Sequence, residues 1–572
     1  MKLWTFDTED DSRGNVDLLI FYDGSEYYSF DNRKDAQNFI YNDPLMHNSK
    51  IWCCNLEYDI TNLFYPYYDK IKIFMVGSRV IKVNSTKASR NKFLFLNTLN
   101  HWKISVAKMG EKLGLPKLEY NHEEDPSELE GNELIDYLWE RLVYCQRDCE
   151  VVYRFVERME SVYEAIQVPL KTTIGASAMA SFKQLVSPEL PKFPSHELKY
   201  MFRGYYGGRN EIFHNAPLTA GKGKSIYYTD INSMYPWALA YNDYPDLTTG
   251  RFVKKVNLRN EGICYCEIES NEKYLPYLPH KLDGKKLLFP NGRWTGFYTY
   301  FEIRRAIELG INVRRIFSGY EFTRSVKPFY EWVTYYYNKR KVEKDPFMKE
   351  TYKALLVNLY GKFAERGENM EAIPIENLTP EQNGAISIGN LAFVTRFMGF
   401  PKHTNVVWSA YCTAYGRDRL YRFMSRIDEA GGKLLYCDTD STFYEGSSNI
   451  FGDSSELGDM KLEDTYMYAY FKRPKLYHVS NEKGEVYHAK GVHKQCAEEF
   501  FLYDRVTMRK PYRIKEAARR ANSFTNDNPK QKIVPNYWDS VEKVLQSKYD
   551  KREVIKGGRT KPLFIRDYEK KS

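Results

Sequence analysis

KLLYCDTDSTFYEG (433–446) reads as a hairpin whose turn carries Asp438 and Asp440, on the rim of a sheet. Upstream, SIYYTDINSMYPWALAYN (225–242) reads as a strand ending at Asp230, a turn, and a helix beginning near Tyr235 and Pro236, since proline is well tolerated in a helix's first turn. Brought beside the hairpin, Asp230 completes three carboxylates suited to hard, oxygen-preferring Mg2+. Between them lies PFMKETYKALLVNLYGKF (346–363), a helix on which Lys349, Lys353 and Tyr360 fall at i, i+4 and i+11, close to one face. Two ammonium groups beside a tyrosine suit a nucleoside triphosphate. Nucleotidyl transfer to a primer 3′-oxygen is catalysed mostly by positioning and by charge neutralisation. In that scheme Asp230 and Asp440 bridge the metals and Asp438 supports or shares the catalytic ion. Lys353 meets the triphosphate, and Tyr235 packs against the sugar and excludes a 2′-hydroxyl by size. Asp/Ser turns and lysine-bearing helix faces are each common alone; the combination carries the reading.

A second constellation sits near the N-terminus. In KLWTFDTED, Asp7 and Glu9 are two apart and project from one face of a strand. Asn55 and Asp59 flank Tyr58 in KIWCCNLEYDITNLF, and Tyr144 and Asp148 are four apart on a helix in RLVYCQRDCEVV. Four carboxylates offered to one point raise one another's pKa unless cations intervene. Two divalent ions about 3.5–4 Å apart resolve this and suit hydrolysis of a phosphodiester. Tyr144 would orient the attacking water. Asp10, directly after the pair, is a further acid beside that centre.

FDTE, NLEYD and YCQRD, in this order, resemble the three motifs of the 3′–5′ proofreading exonuclease of family B DNA polymerases. DxNSMYP, KxxxxxLYGK and YCDTDS resemble that family's palm and fingers motifs, and the resemblance covers roughly 3–500. It implies α/β and α+β domains: an RNase H-like exonuclease followed by a right-hand polymerase of palm, fingers and thumb. It also implies two Mg2+ ions per active site, with Mn2+ as a substitute, the exonuclease lysine at Lys117, and nucleotide contacts that include Ser233 and Lys341. Asn55 and Tyr58 become DNA contacts. Tyr205, Gly207 and Gly208 resemble the YxGG element that grips single-stranded template, and Lys475 and Tyr477 the KxY element that holds the primer terminus. One departure stands in the fingers motif: Val357-Asn358 occupy the places of the family's Asn-Ser, about 100° apart around the helix.

The intervals from Asp230 to Lys353 and from Tyr360 to Asp438 are long, and resemble the two insertions of the protein-primed branch of phages and linear plasmids. In that branch the first insertion contacts the priming terminal protein and the second encloses DNA for strand displacement and processivity. The expected division is exonuclease 1–165, connector 166–225, palm 226–254, first insertion and palm 255–335, fingers 336–365, second insertion 366–403, palm 404–495 and a basic thumb 496–572. The second insertion, rich in Pro, Asn and Gly around short apolar runs, is expected to protrude as a β-rich loop.

Composition agrees. The 572 residues carry 84 Lys+Arg against 75 Asp+Glu, and residues 501–572 alone hold 19 against 9, so the remainder is nearly neutral. A basic end on a neutral body suits a phosphate-backbone partner. The 43% hydrophobic and 16% aromatic content excludes a disordered chain, and no apolar run is long enough to span a membrane. Nine scattered cysteines without CxxC pairs read as free thiols of a reducing compartment. With acids in MKLWTFDTEDD where a signal peptide needs an apolar stretch, a cytoplasmic location is expected, that of the host if the replicon is viral. The expected partners are primer-template DNA, dNTPs and a terminal protein, with no membrane and a monomeric chain. The rival readings are a stand-alone 3′–5′ exonuclease with a DNA-binding C-terminal region, a degenerate polymerase serving as a scaffold, and a family B polymerase that is not protein-primed.

Overall fold

The computed structural model describes residues 1–10, 16–65, 68–77, 79–120, 129–282, 286–382, 385–388, 390–452, 454, 456–511, 538–545 and 549–565. Much of the basic run expected in 496–572 lies outside them.

The strand Lys2–Asp10 organises the N-terminal domain. It runs parallel to Ser49–Cys53, which runs parallel to Phe93–Asn97, and antiparallel to Val16–Tyr22. Its even positions, Trp4 and Phe6, enter a core with Leu56, Ile60 and Leu63 of the helix Leu56–Phe64. Its odd positions face the 35-residue helix Gly131–Ala165, where the Thr5 hydroxyl donates to the Cys149 carbonyl at 2.9 Å. Two-residue alternation thus separates an apolar face from an acid-bearing one. In KIWCCNLEYDI the strand Ser49–Cys53 stops at Cys53 and a helix starts at Leu56. Asn55 makes the break in the left-handed region (φ 72°), which asparagine tolerates better than most residues.

The second insertion also departs from expectation. Rather than protruding, Glu368–Pro374 pairs antiparallel with Ile71–Val76 (Met370 opposite Met75, Ala372 opposite Ile73) and extends the N-terminal sheet to ten strands. Ile71–Val76 would otherwise be an open edge with unpaired backbone groups. Met370, Ala372, Leu391 and Phe393 complete the joint by entering the N-terminal core.

The central five-stranded sheet has the order Met460–Tyr466, Ser225–Ile231, Ser441–Gly446, Lys433–Asp438, Asn210–Ile212. The helix Val406–Glu429 packs against it. A second five-stranded sheet, built mainly by residues 250–322, takes Phe564–Ile565 as a parallel edge beside Asn291–Thr299, so the C-terminal segment closes the first insertion. The expected 335/336 boundary falls inside the helix Tyr330–Val342. The helix Pro346–Lys362 starts where the Asp345 side chain accepts from the Phe347 and Met348 amides, with proline in its first turn. Phe347 packs on Trp102 and Phe155 (5.1 and 5.4 Å between ring centroids), which joins this helix to the N-terminal domain. Among the described residues no helix is long and apolar enough to cross a membrane. All nine cysteines are free thiols.

Candidate active sites

The N-terminal cluster assembles from both faces of one strand. Asp7 and Glu9 point toward the Gly131–Ala165 helix, and a ligand atom from each, with Cys145 Sγ, lies within 4.8 Å of the others. Asp148, on that helix, forms an ion pair with Lys117, whose ammonium sits 4.1 Å from the centre of the Tyr144 ring. Asp59 comes from the opposite face, where the Thr8 hydroxyl donates to its Oδ1 at 3.2 Å and itself accepts from Asn62. Neither Asp59 nor Asp148 falls within the 4.8 Å group, but both act electrostatically on their neighbours. Burial pushes the Asp7 carboxyl up to about 7, with the Asp148 charge adding and Lys117 opposing. Glu9 and Asp59 are driven well above the usual carboxylate range by burial and then by Asp7. Asp59 Oδ2 and Asp148 Oδ1 are buried without a hydrogen-bond partner. Carboxylate oxygens that are desolvated and mutually repelling fit hard divalent cations. Asn55 precedes the Asp59 helix, and Tyr58 donates to Asp10 at 2.8 Å.

The second cluster lies at the ends of the interior strands of the central sheet. Asp230 pairs in register with Ser441, which also faces Asp438 across the hairpin, and the Ile231 amide donates to the Asp440 carbonyl at 2.8 Å. Burial, then Asp440 and Glu463, pushes Asp230 up to about 7, while Lys461 opposes. Asp440 rises to about 6 through burial and the charge of Asp438. Asp438 differs: Lys475 Nζ donates to its Oδ2 at 2.5 Å and the Tyr436 hydroxyl at 3.2 Å. Its carboxylate is turned to that lysine, and among the described residues no three ligand atoms of this cluster come within 4.8 Å. The turns beside these acids are strained: Ser233 (φ 50°) and Thr439 (φ 64°) are left-handed. Ser233 leads the helix Met234–Tyr241 without a capping hydrogen bond from its side chain. Tyr235 and Tyr360 pack with ring centroids 4.3 Å apart.

A family model described as DNA polymerase type B, organellar and viral, matches residues 17–386. The chain belongs to that family. A probable DNA polymerase of Podospora anserina is 26% identical over 449 residues, which cover 68% of this chain and 35% of the relative, so the chain spans about a third of that protein. The DNA-directed DNA polymerase of Enterobacteria phage PRD1 is 26% identical over 466 residues, 78% of this chain and 76% of its own. The solved phi29 DNA polymerase, complexed with primer-template DNA and incoming nucleotide substrates, superposes with a TM-score of 0.71 at 16% identity, covering 95% of this chain and 100% of that one. The fold is the expected one, a multidomain α/β and α+β chain of exonuclease and right-hand polymerase type.

In this type B polymerase chain the lysines of the fingers motif stand apart from the carboxylates. Lys341 pairs with Glu456 at 3.5 Å and Lys353 with Glu350 at 4.0 Å, and neither these nor Lys349 forms an ion pair with Asp230, Asp438 or Asp440. The YxGG segment has a packing role: a Cβ on Gly208 would lie 2.8 Å from Thr439 Cγ2, and the Thr439 amide donates to the Arg209 carbonyl at 2.7 Å. The Tyr206 and Gly207 carbonyls accept from Arg417. Tyr205 is half-buried against the core that holds Tyr360. Tyr477 stacks on His488 with centroids 4.9 Å apart. Sequence reasoning missed three residues. Cys145 stands inside YCQRD, but its reach to Asp7 (3.7 Å) depends on helix rotation against the strand. Glu463 is carried to Asp230 by strand pairing alone. Arg209 follows YYGG directly, and only burial beside Glu211, at 2.6 Å, marks it.

Proposed function

We propose that the chain is a DNA-templated DNA polymerase that adds dNMPs to a primer 3′-hydroxyl and carries a 3′–5′ proofreading exonuclease in its N-terminal domain. The observation that carries this reading is the pair of separate, half-buried to buried carboxylate clusters, each beside its own sheet, in a chain of the type B family. Asp230 and Asp440, with Asp438 in support, would hold Mg2+ at the polymerising site, as Asp7, Glu9, Asp59 and Asp148 would at the editing site. Bound there, two divalent ions supply an activated oxygen nucleophile and stabilise the leaving oxygen, and Mn2+ serves as a substitute. Lys475 holds Asp438 oriented and partly neutralised. Tyr235 against Tyr360 forms an aromatic wall that fits a deoxyribose and excludes a 2′-hydroxyl. Lys341, Lys349, Lys353 and Ser233 line the approach of the triphosphate. Lys117 orients Asp148 and steadies the Tyr144 ring, whose hydroxyl positions the attacking water.

The residues 203–208 and the base of the second insertion enclose a cavity of about 720 Å3, lined by Arg203, Tyr206, Lys281, Arg366, Phe397 and Phe400. Cations interleaved with rings suit single-stranded template. From the two long intervals around the fingers motif, which resemble the insertions of the protein-primed branch, we extend the reading to initiation on a terminal-protein hydroxyl, strand displacement on a linear genome, action as a monomer and a cytoplasmic site.

The test is a crossed pair of variants in primer extension and primer degradation with Mg2+. Asp440→Ala abolishes dNMP incorporation and leaves degradation; Asp7→Ala with Glu9→Ala does the reverse. Retained synthesis in the first variant overturns the polymerase assignment, and retained degradation in the second overturns the editing assignment. Labelled dNMP bound covalently to a co-encoded protein is the expected result for protein priming.

A further inference from the structure

The thiol of Cys145 reaches into the N-terminal carboxylate cluster. It stands on the helix Gly131–Ala165, between Tyr144 and Asp148, and is fully buried. On one side it packs with Ile20, Tyr22 and Cys149; on the other its Sγ donates to Asp7 Oδ2 at 3.7 Å. Sγ, an Asp7 oxygen and a Glu9 oxygen all lie within 4.8 Å of one another. The thiols of Cys54, Cys149 and Cys412 turn instead to backbone carbonyls, at 3.9, 3.6 and 3.9 Å. A cysteine that only filled space would behave as a small apolar side chain. Cys145 is turned toward two acids.

A second observation marks the same point as a place for a cation. Asp59 is inaccessible, and its Oδ1 accepts from Thr8. Its Oδ2 has no hydrogen-bond partner among the described residues, and Asp7 is the charge that acts on it most strongly. Asp148 Oδ1, on the helix of Cys145, is likewise buried without a partner. Desolvated carboxylate oxygens are costly unless a cation meets them. The donor set decides which cation. Magnesium takes oxygen ligands in octahedral geometry and gains nothing from sulfur, whereas a thiolate beside carboxylates is a zinc-class set. Zinc–sulfur and zinc–oxygen bonds of about 2.3 and 2.0 Å put sulfur and oxygen about 3.5 Å apart across a tetrahedral angle. The 3.7 Å between Cys145 and Asp7 is close to that.

We propose that Cys145 is a metal ligand of the editing centre and, with Asp7 and Glu9, makes that centre a site for zinc-class ions as well as for magnesium. The inference rests on the editing reading given under Proposed function. Binding such an ion releases the thiol proton to solvent and leaves sulfur on the metal. The probe is Cd2+ added to the full-length chain, read by the ultraviolet sulfur-to-cadmium charge-transfer band. The wild type gives the band, and Zn2+ removes it. Cys145→Ser loses it, and so does Asp7→Ala with Glu9→Ala, in which every cysteine is intact; the acid pair thus separates this thiol from the more accessible Cys54 and Cys496. Affinity for Zn2+, measured against a chromophoric chelator, falls at least about tenfold in Cys145→Ser, the lower end of what outer-shell partners alone are worth. A band undiminished in either variant, or an unchanged Zn2+ affinity in Cys145→Ser, overturns the proposal. Extension of a matched primer, which uses the central sheet, reports that each variant is folded. If Cys145→Ser loses extension, Cys145→Ala replaces it; the same loss of band is expected, and an undiminished band again overturns the ligand. If the wild type degrades primers with Mg2+ but gives no cadmium band, the editing reading stands and the thiol ligand falls. If the band depends on Cys145 and the acid pair while no divalent ion supports degradation, the editing reading fails and the metal site stands.

Discussion

His101 illustrates how burial sets the behaviour of a single residue. Its Nδ1 lies 3.2 Å from the Tyr163 hydroxyl and its Nε2 2.8 Å from the Lys171 carbonyl, so Nε2 carries the proton and Nδ1 accepts. Burial pulls its pKa down to about 4. The unfolded side chain titrates near 6.5, so protonation favours the unfolded chain. Stability is fully present above about pH 6.5 and is lost as pH falls toward about 4, by at most about 3 kcal/mol. The melting temperature of the wild type is expected to fall through that window, and that of His101→Gln to start lower and fall less steeply. Parallel profiles in the two proteins would show that another group governs the acid limb. Burial acts likewise on two aspartates of the central sheet: it raises Asp230, with the charges of Asp440 and Glu463 adding, and Asp440, with the charge of Asp438 adding.

At the scale of the element, the hairpin that carries Asp438 and Asp440 is held from behind. Thr439 is left-handed between the two acids, donates its amide to Arg209, and leaves no room for a side chain at position 208. Arg209 pairs with Glu211, and Arg552 lies 3.7 Å from the same carboxylate; all three side chains are essentially inaccessible. The Tyr549 hydroxyl accepts from the Ile212 amide nearby. The C-terminal segment thus braces the strand on which the hairpin rests. Removing one member of such a network leaves a buried charge uncompensated, at a cost of about 3–5 kcal/mol. Gly208→Ala is expected to lower the rate constant of dNMP addition by on the order of 10²-fold, the effect of a misplacement near 1 Å, with degradation of single strands unchanged. Full polymerising activity in that variant would show that the close approach of position 208 to Thr439 does not set the placement of the hairpin. YYGG was legible as a glycine element between two halves. Its packing against Thr439 was not, because the contact joins segments more than 200 residues apart in the chain.

At the scale of the whole molecule, one ten-stranded sheet unites the N-terminal domain with an insertion that leaves the chain near residue 366. Glu371 strengthens the joint with Lys72 at 3.2 Å and Arg396 at 3.4 Å. Gly367 and Gly399 close the base of the insertion, where a Cβ on Gly367 would lie 2.0 Å from the Gly399 carbonyl oxygen. Strand pairing makes the insertion and the N-terminal domain one body. Ala372→Asp places a carboxylate in the shared core, where an unpaired charge costs several kcal/mol. Limited proteolysis within 366–403 is expected to accelerate at least tenfold, while single dNMP addition to a short primer persists. Unchanged protease resistance would show that the pairing with Ile71–Val76 does not hold the insertion.

Residue order alone determined both sets of acids, the strand-turn-helix around Asp230, the hairpin at 433–446 and the cation-bearing helix, because each rests on spacing within a few residues and on local backbone preference. Family membership follows from the same local motifs. Tertiary structure decided what depends on approach between distant segments: Cys145 against Asp7, Glu463 against Asp230, Lys475 on Asp438 rather than on solvent, and the second insertion joined to the N-terminal sheet. Strand pairing is specified by backbone groups that every residue carries. The partner of an open edge is therefore chosen by the packing of the whole chain and leaves little mark on the segment itself.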